Sequence, residues 1–295
     1  MKNWIQAARL RTLPLSVSGI IVGSAFAYYQ GFSDWRIVVL ALLTTLGLQI
    51  LSNYANDYGD GIKGTDVNRI GEKRLVAAGV VSADQMKRAV IVTAIITFLL
   101  ALALIYIAFG KENFVLSMIF ILLGVGSIGA AVKYTVGKSA YGYSGFGDLF
   151  VFIFFGLVSV IGSNFLFTHF IEWTLFLPAI AIGLLSVAVL NLNNMRDIEN
   201  DRVAGKNTLV VKMGLEKAKK YHFTLIFTAL ILFVFFNGML SIKMYIYLPI
   251  ILVLAMHLRT VKKSKKYEEF DPELKKVALS TFALSILFAA SLYLS

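Results

Sequence analysis

The sequence contains no cysteine. Disulfides, thiolate nucleophiles and thiolate metal ligands are therefore excluded. Histidine is nearly as scarce. His169, His222 and His257 lie far apart along the chain and form no H-x-x-x-H or H-E-x-x-H pair, so each is read as an interfacial or packed residue rather than a ligand. Proline occurs four times, and no Pro- or Ser-rich linker or low-complexity tract divides the chain. Residues 1–295 are therefore expected to form a single transmembrane domain. No A-x-A-type cleavage site follows the first apolar run after the basic, amphipathic segment 1–12, so a cleaved signal peptide is not expected. Charged residues make up only 15% of the chain.

Apolar residues take up that shortfall. They are 58% of the sequence, against about 45–50% in a soluble domain, and the mean hydropathy is +0.76. Several windows exceed the length of apolar chain that crosses a bilayer. The pattern predicts an all-α, polytopic membrane protein with nine helices, over 13–31, 36–56, 88–109, 114–133, 146–168, 173–193, 220–240, 244–261 and 276–294. Ser82 and Gln85 have the spacing of a capping box at the start of the third helix.

The net charge of +11 could suggest nucleic acid, but its distribution argues against that partner. With the N-terminus inside, the inner segments are the N-terminal stretch and the loops 57–87, 134–145, 194–219 and 262–275, each counted with the helix ends that flank it. Of the 28 Lys and Arg residues only Arg36, Lys111 and Lys243 fall elsewhere. The positive-inside rule then sets the N-terminus and the long loops in the cytoplasm, with the lipid bilayer as partner and the plasma (inner) membrane as location. The run Lys262–Lys266 reads as a solvated loop, and Asp84, Glu216, Glu268, Glu269 and Glu273 as surface ion pairs.

The remaining polar residues cluster at two inner helix ends. The second helix ends in Gln49, Asn53, Asn56, Asp57 and Asp60, a stripe along one helix face, and the loop continues with Lys63, Asp66, Arg69, Lys73 and Arg74. The sixth ends in Asn191, Asn193, Asn194, Arg196, Asp197 and Asp201, followed by Arg202, Gly205, Lys206 and Thr208. The two constellations resemble a weak internal repeat. A polar stripe on an apolar helix must face a wet cavity or polar partners. Facing carboxylate clusters repel unless a hard cation joins them, and Asp and Asn oxygens suit Mg²⁺. The interspersed Lys and Arg fit a multiply charged anion such as a diphosphate between metal and bases. The loop Lys133 to Asp148, with Tyr134, Lys138, Tyr141 and Tyr143, could cover such a cavity; an interfacial aromatic belt is the competing reading.

At these residues the sequence resembles the UbiA-type superfamily of intramembrane aromatic prenyltransferases. The resemblance covers Arg9 to Pro14 (RLRTLP), Asn53 to Asp66 (NYANDYGDGIKGTD), Tyr134 to Asp148 and Asn191 to Gly214 (NLNNMRDIENDRVAGKNTLVVKMG). Asn56, Asp57 and Asp60 match the start of the N-D-x-x-D-x-x-x-D motif. Gly64 stands in place of its last aspartate, with Asp66 two residues later, which resembles the naphthoate branch more than the 4-hydroxybenzoate branch. Asp197 and Asp201 match D-x-x-x-D. The resemblance implies a bundle around a central cavity open to the cytoplasmic side. It implies transfer of a polyprenyl group from polyprenyl diphosphate to an aromatic acid, 1,4-dihydroxy-2-naphthoate in this branch, with loss of diphosphate and CO₂. Asp57, Asp60, Asp197 and Asp201 are then expected to hold Mg²⁺, assisted by Asn53, Asn56, Asn193 and Asn194. Lys63, Arg74, Lys138, Arg196 and Lys206 are candidates for the diphosphate, Asp66 for the substrate site, and Tyr134 and Tyr143 for the ring.

Other acceptors (4-hydroxybenzoate, homogentisate, protohaem) define sister activities. A cation-coupled transporter is the alternative from another class, but its site would sit near the bilayer centre on broken helices, whereas these acids gather at one face. A phospholipid-type phosphotransferase would require D-G-x-x-A-R, and Asp60-Gly61 is followed by Ile62-Lys63-Gly64-Thr65.

Overall fold

The structure is a computed structural model that describes residues 2–65, 71, 74–137 and 140–293. Among these residues every regular element is helical, and nine helices are long and apolar enough to cross a membrane. They are α1 (Lys2–Tyr29), α2 (Trp35–Lys63), α3 (Ala83–Phe109), α4 (Phe114–Lys133), α5 (Gly147–Thr168), α6 (Trp173–Arg196), α7 (Leu215–Met239), α8 (Met244–Lys263) and α9 (Tyr267–Tyr293). The chain is thus a multi-pass membrane protein, and all nine predicted helices are present.

Their ends differ from expectation for local reasons. The short leading helix of α1, Lys2–Ala8, is separated from its main body Leu13–Tyr29 by Arg9, whose φ of 52° is left-handed, and by the tight turn Leu10–Thr12. α2 runs seven residues past its predicted end, because its polar stripe stays helical until Gly64 terminates it at φ 70°. At its other end the Asp34 carboxylate caps α2 through the Arg36 backbone N–H. The Arg36 side chain, bonded to the same carboxylate, holds the Asp34 carboxyl below its usual range. α3 begins at Ala83 because the predicted capping box forms: Ser82 Oγ accepts from Gln85 N, and the Gln85 side chain accepts from Ser82 N. α9 begins well before residue 276, which places Asp271 and Glu273 on a helix.

α6 is the axis of the bundle. It packs on α5, α7 and α9, and its apolar residues Ile182, Leu185, Leu192 and Met195 are fully enclosed. Lipid tails are as apolar as these side chains, so close backbone approach contributes much of the helix–helix attraction. Small residues provide it. A Cβ on Gly156 of α5 would lie 2.6 Å from the Ala179 carbonyl oxygen and 2.7 Å from Gly183 Cα of α6. At this crossing α5 is a π-helix over Phe152–Gly162, and it turns Phe154, Phe155 and Val158 toward the interior cavity. α4, by contrast, contains no buried residue and packs chiefly on α2 and α3.

One expectation holds here, the packing of the histidines, and one changes. His222 and His257, far apart in sequence, meet because α7 and α8 are neighbours; their Nε2 atoms are 2.7 Å apart and both rings are fully buried. Glu273, read as a surface residue, is buried beneath them. Its carboxylate bonds His257 Nδ1 at 2.5 Å and accepts from Lys276 Nζ at 2.5 Å. A buried carboxylate so engaged welds α8 to α9, in keeping with the rule that buried charges are paired.

Candidate active site

A cavity of about 810 Å³ opens among α1 to α6. Its polar end is lined by Asn53, Asn56 and Asp60 of α2 and by Asn193, Asn194, Asp197 and Asp201 at the end of α6 and just beyond it. From there it descends along apolar walls to Ile171 and Phe176 at the opposite face, a depth of roughly 27 Å along α6 at 1.5 Å per residue. A second, almost wholly apolar recess lies between α4 and α5 and shares Ile119, Leu123, Ala130, Tyr141, Phe150 and Phe154 with the cavity wall. The gap between these two helices is bordered by the exposed apolar side chains Ile119, Leu122 and Leu123 of α4.

The two acidic motifs meet across this cavity. Lys206 Nζ lies 3.4 Å from Asp60 Oδ2 and 4.0 Å from Asp201 Oδ1, so one ammonium spans both motifs. Arg74 Nη2 is 3.6 Å from Asp60 Oδ2. Tyr143 donates to Asp60 Oδ1 at 2.7 Å, and its ring lies beneath two ammonium groups, Lys63 at 4.0 Å and Lys206 at 4.9 Å from the centroid. Tyr143 thus holds Asp60 and the lysines together. Asn200 Nδ2 donates to the Thr65 carbonyl at 2.6 Å, tying the segment after α6 to the end of α2. Sequence reasoning passed over Asn200, although it falls inside the stretch that carried the resemblance.

Several expected residues are committed to scaffold contacts. Asn53 donates to the Ala8 carbonyl and to Thr12 Oγ1, fastening the start of α1 to α2. Asn56 Oδ1 accepts from Thr135 Oγ1 at 3.1 Å. Lys63 Nζ donates to the Thr135 carbonyl at 2.7 Å. Asn191 donates to the Ala218 carbonyl. Arg196, fully buried, is paired with Asp197, Asn193 and Asp271. Tyr134 lines the cavity beside Tyr141, ring centroids 5.3 Å apart. Burial, then Tyr141 and the nearby carboxylates, push the Tyr134 hydroxyl far above its ordinary range, and burial does the same for Tyr141, so both stay neutral. Asp66 and Lys138 lie outside the described residues.

Asp57 stands apart from the other motif aspartates. Its two carboxylate oxygens accept from the backbone N–H groups of Leu75 and Val76, each at 3.0 Å, and it does not line the cavity. In this geometry it anchors the turn that carries Arg74.

The donor set fits a hard divalent cation. Asp60, Asp197 and Asp201, with Asn amides beside them, offer oxygen only. Among the described residues no three acidic or histidine side chains converge as a self-sufficient metal site. Mg²⁺ typically takes one or two carboxylates and completes its octahedron with waters and substrate phosphates, so the few carboxylates at this mouth match its needs.

Residues 16–292 match the UbiA prenyltransferase family. The chain is 42% identical to the 1,4-dihydroxy-2-naphthoate octaprenyltransferase of Escherichia coli K12 over 296 residues, 99% of this chain and 95% of that protein. It shares its fold with a UbiA homologue from Aeropyrum pernix K1 (TM-score 0.69, 17% identity, 97% of this chain and 98% of that one). It also shares it with a UbiA homologue from Archaeoglobus fulgidus solved with GPP and Mg²⁺ (TM-score 0.64, 16% identity, 97% and 98%). Sequence, fold and the paired acidic motifs agree, and the chain belongs to the UbiA prenyltransferase family.

Proposed function

We propose that this chain, acting as one unit over 1–295, transfers a polyprenyl group from polyprenyl diphosphate to 1,4-dihydroxy-2-naphthoate, releasing diphosphate and CO₂ and leaving a demethylmenaquinol. The observation that carries this reading is the meeting of Asp60 with Asp201 through Lys206 at the polar mouth of a deep apolar cavity. The choice of acceptor is supported by the 42% identity to a naphthoate octaprenyltransferase over almost the whole chain.

The residues divide the work. Asp60, Asp197 and Asp201 would hold Mg²⁺, with Asn193 and Asn194 beside them. When bound, Mg²⁺ supplies positive charge to the departing diphosphate. Lys206 and Arg74, both beside Asp60, would take the remaining diphosphate oxygens. The prenyl chain occupies the apolar shaft below. Phe154, Phe155 and Phe165 line that shaft; Phe154 and Phe155, in the half of α5 nearer the motifs, would stabilise the allylic cation left when the carbon–oxygen bond breaks, and the apolar walls would keep water from it. The ring carbon bearing the carboxylate attacks. A carbon–carbon bond forms, the bond to the carboxylate breaks, and its electron pair restores aromaticity as CO₂ departs. The motif loops lie on the cytoplasmic side of the plasma membrane in this reading.

Two experiments test it. Purified protein with Mg²⁺, a polyprenyl diphosphate and carboxyl-labelled 1,4-dihydroxy-2-naphthoate is expected to release one labelled CO₂ per diphosphate. Stoichiometric prenylation of 4-hydroxybenzoate, with no labelled CO₂ from the naphthoate, overturns the acceptor and leaves the prenyltransferase intact. For sidedness, Lys63→Cys in this cysteine-free chain is expected to react with an impermeant maleimide only after the inner face is opened. Labelling in intact cells reverses the orientation.

A further inference from the structure

Arg196 is the largest fully buried side chain among the described residues, and its contacts form a chain. Nε donates to Asp197 Oδ1 at 2.8 Å and Nη2 to Asp197 Oδ2 at 2.9 Å, a bidentate fork; Nη2 also donates to Asn193 Oδ1 at 2.8 Å. The outward nitrogen, Nη1, donates to Asp271 Oδ1 at 2.5 Å. Asp271 stands at the start of α9 and accepts from Arg11 Nη1 at 3.2 Å through its other oxygen. Three segments distant in sequence are joined: the turn before the body of α1, the end of α6 and the first turn of α9.

The charge balance gives this chain a purpose. A buried guanidinium forked onto Asp197 alone would neutralise that carboxylate and compete with any cation for its lone pairs. A second carboxylate on the far edge divides the guanidinium's charge and fixes its plane. Asp197 then keeps both its orientation and its share of negative charge.

We propose that Asp271 is a positioning residue for Asp197, acting through Arg196 to hold that carboxylate ready for the divalent cation. The proposal rests on the reading of Asp197 as a metal-side carboxylate. Asp271 does not line the cavity and needs no contact with substrate. Its side chain is 32% exposed, so asparagine can replace it without a buried void.

The test is Mn²⁺ binding to the full chain in detergent, with an unreactive prenyl thiolodiphosphate present, read from loss of the free-ion EPR signal. Asp271→Asn is expected to weaken Mn²⁺ binding about tenfold or more, the usual cost of losing an outer partner of a metal ligand, with Asp271→Glu recovering part of it. Asp197→Asn is measured alongside. Loss of binding in Asp197→Asn together with Mn²⁺ affinity in Asp271→Asn within about twofold of wild type overturns the proposal alone. So does an equal loss in Asp271→Glu and Asp271→Asn. Unchanged binding in Asp197→Asn overturns the metal reading, and this proposal with it.

Discussion

Asp60→Asn and Asp197→Asn are each expected to lower kcat by about a thousandfold or more, while the helical circular dichroism of the detergent-solubilised protein stays unchanged. The reason is charge rather than shape. Asparagine keeps the size of the side chain and one carbonyl oxygen but carries no net charge. Asp60 has Lys206 and Arg74 within 3.4 and 3.6 Å, and in Asp60→Asn these cations face each other without a counter-charge. A diphosphate could still bind there, drawn by the surplus positive charge, yet without the cation that stabilises its departure. The expected signature is therefore a collapse of kcat with a much smaller change in KM for the prenyl diphosphate, measured by release of diphosphate across a Mg²⁺ titration. Turnover near wild type in either variant, or full activity of the unaltered protein in excess EDTA, would remove the metal from the mechanism.

The helices were legible because a bilayer imposes a length and an apolar composition that few other constraints can mimic. Their ends were not, and each miss has a cause. The stripe from Asn53 to Asp60 looked like the close of α2, but carboxylates and amides that find partners inside the protein let the helix run on to Lys63. The predicted start of α9 at residue 276 left Asp271 and Glu273 in a loop, where charge suggests solvent. In the fold both are engaged by buried partners, Arg196 and His257. The meeting of His222 with His257 could not be read from spacing, because it depends on which helices become neighbours. The acidic motifs were legible as a pair for the opposite reason: so many polar side chains on apolar helices require a common cavity. Periodicity gave the face of each motif but not the partner of each side chain. Tyr143, considered for the aromatic ring, turns out to grip Asp60. The different surroundings of Asp57 and Asp60, three residues apart on one helix, were equally hidden.

The difference in surroundings is expected to show in the kinetics. Asp57→Ala is expected to raise the KM for prenyl diphosphate by about ten- to a hundredfold while leaving the half-saturating Mg²⁺ concentration within about threefold. Two backbone N–H groups, those of Leu75 and Val76, lose their acceptor in this variant. A buried donor left without a partner costs about 1–3 kcal/mol, and tenfold in an equilibrium corresponds to about 1.4 kcal/mol. The turn has its own hold on the protein: Leu75 is buried in a small cluster with Ala7, Val81 and Met86. The penalty is therefore expected to appear as displacement of the segment around Arg74 rather than as global unfolding. Arg74 would leave its place beside Asp60, and the diphosphate would lose one of its cations. Asp57→Asn should fall between wild type and alanine, since its single carbonyl oxygen can serve one N–H but not both. Asp60→Asn provides the contrast, changing the Mg²⁺ response first. If Asp57→Ala instead shifts the Mg²⁺ half-saturation strongly and leaves the diphosphate KM alone, Asp57 belongs among the metal's ligands, and its bonds to Leu75 and Val76 must break when the substrate complex binds.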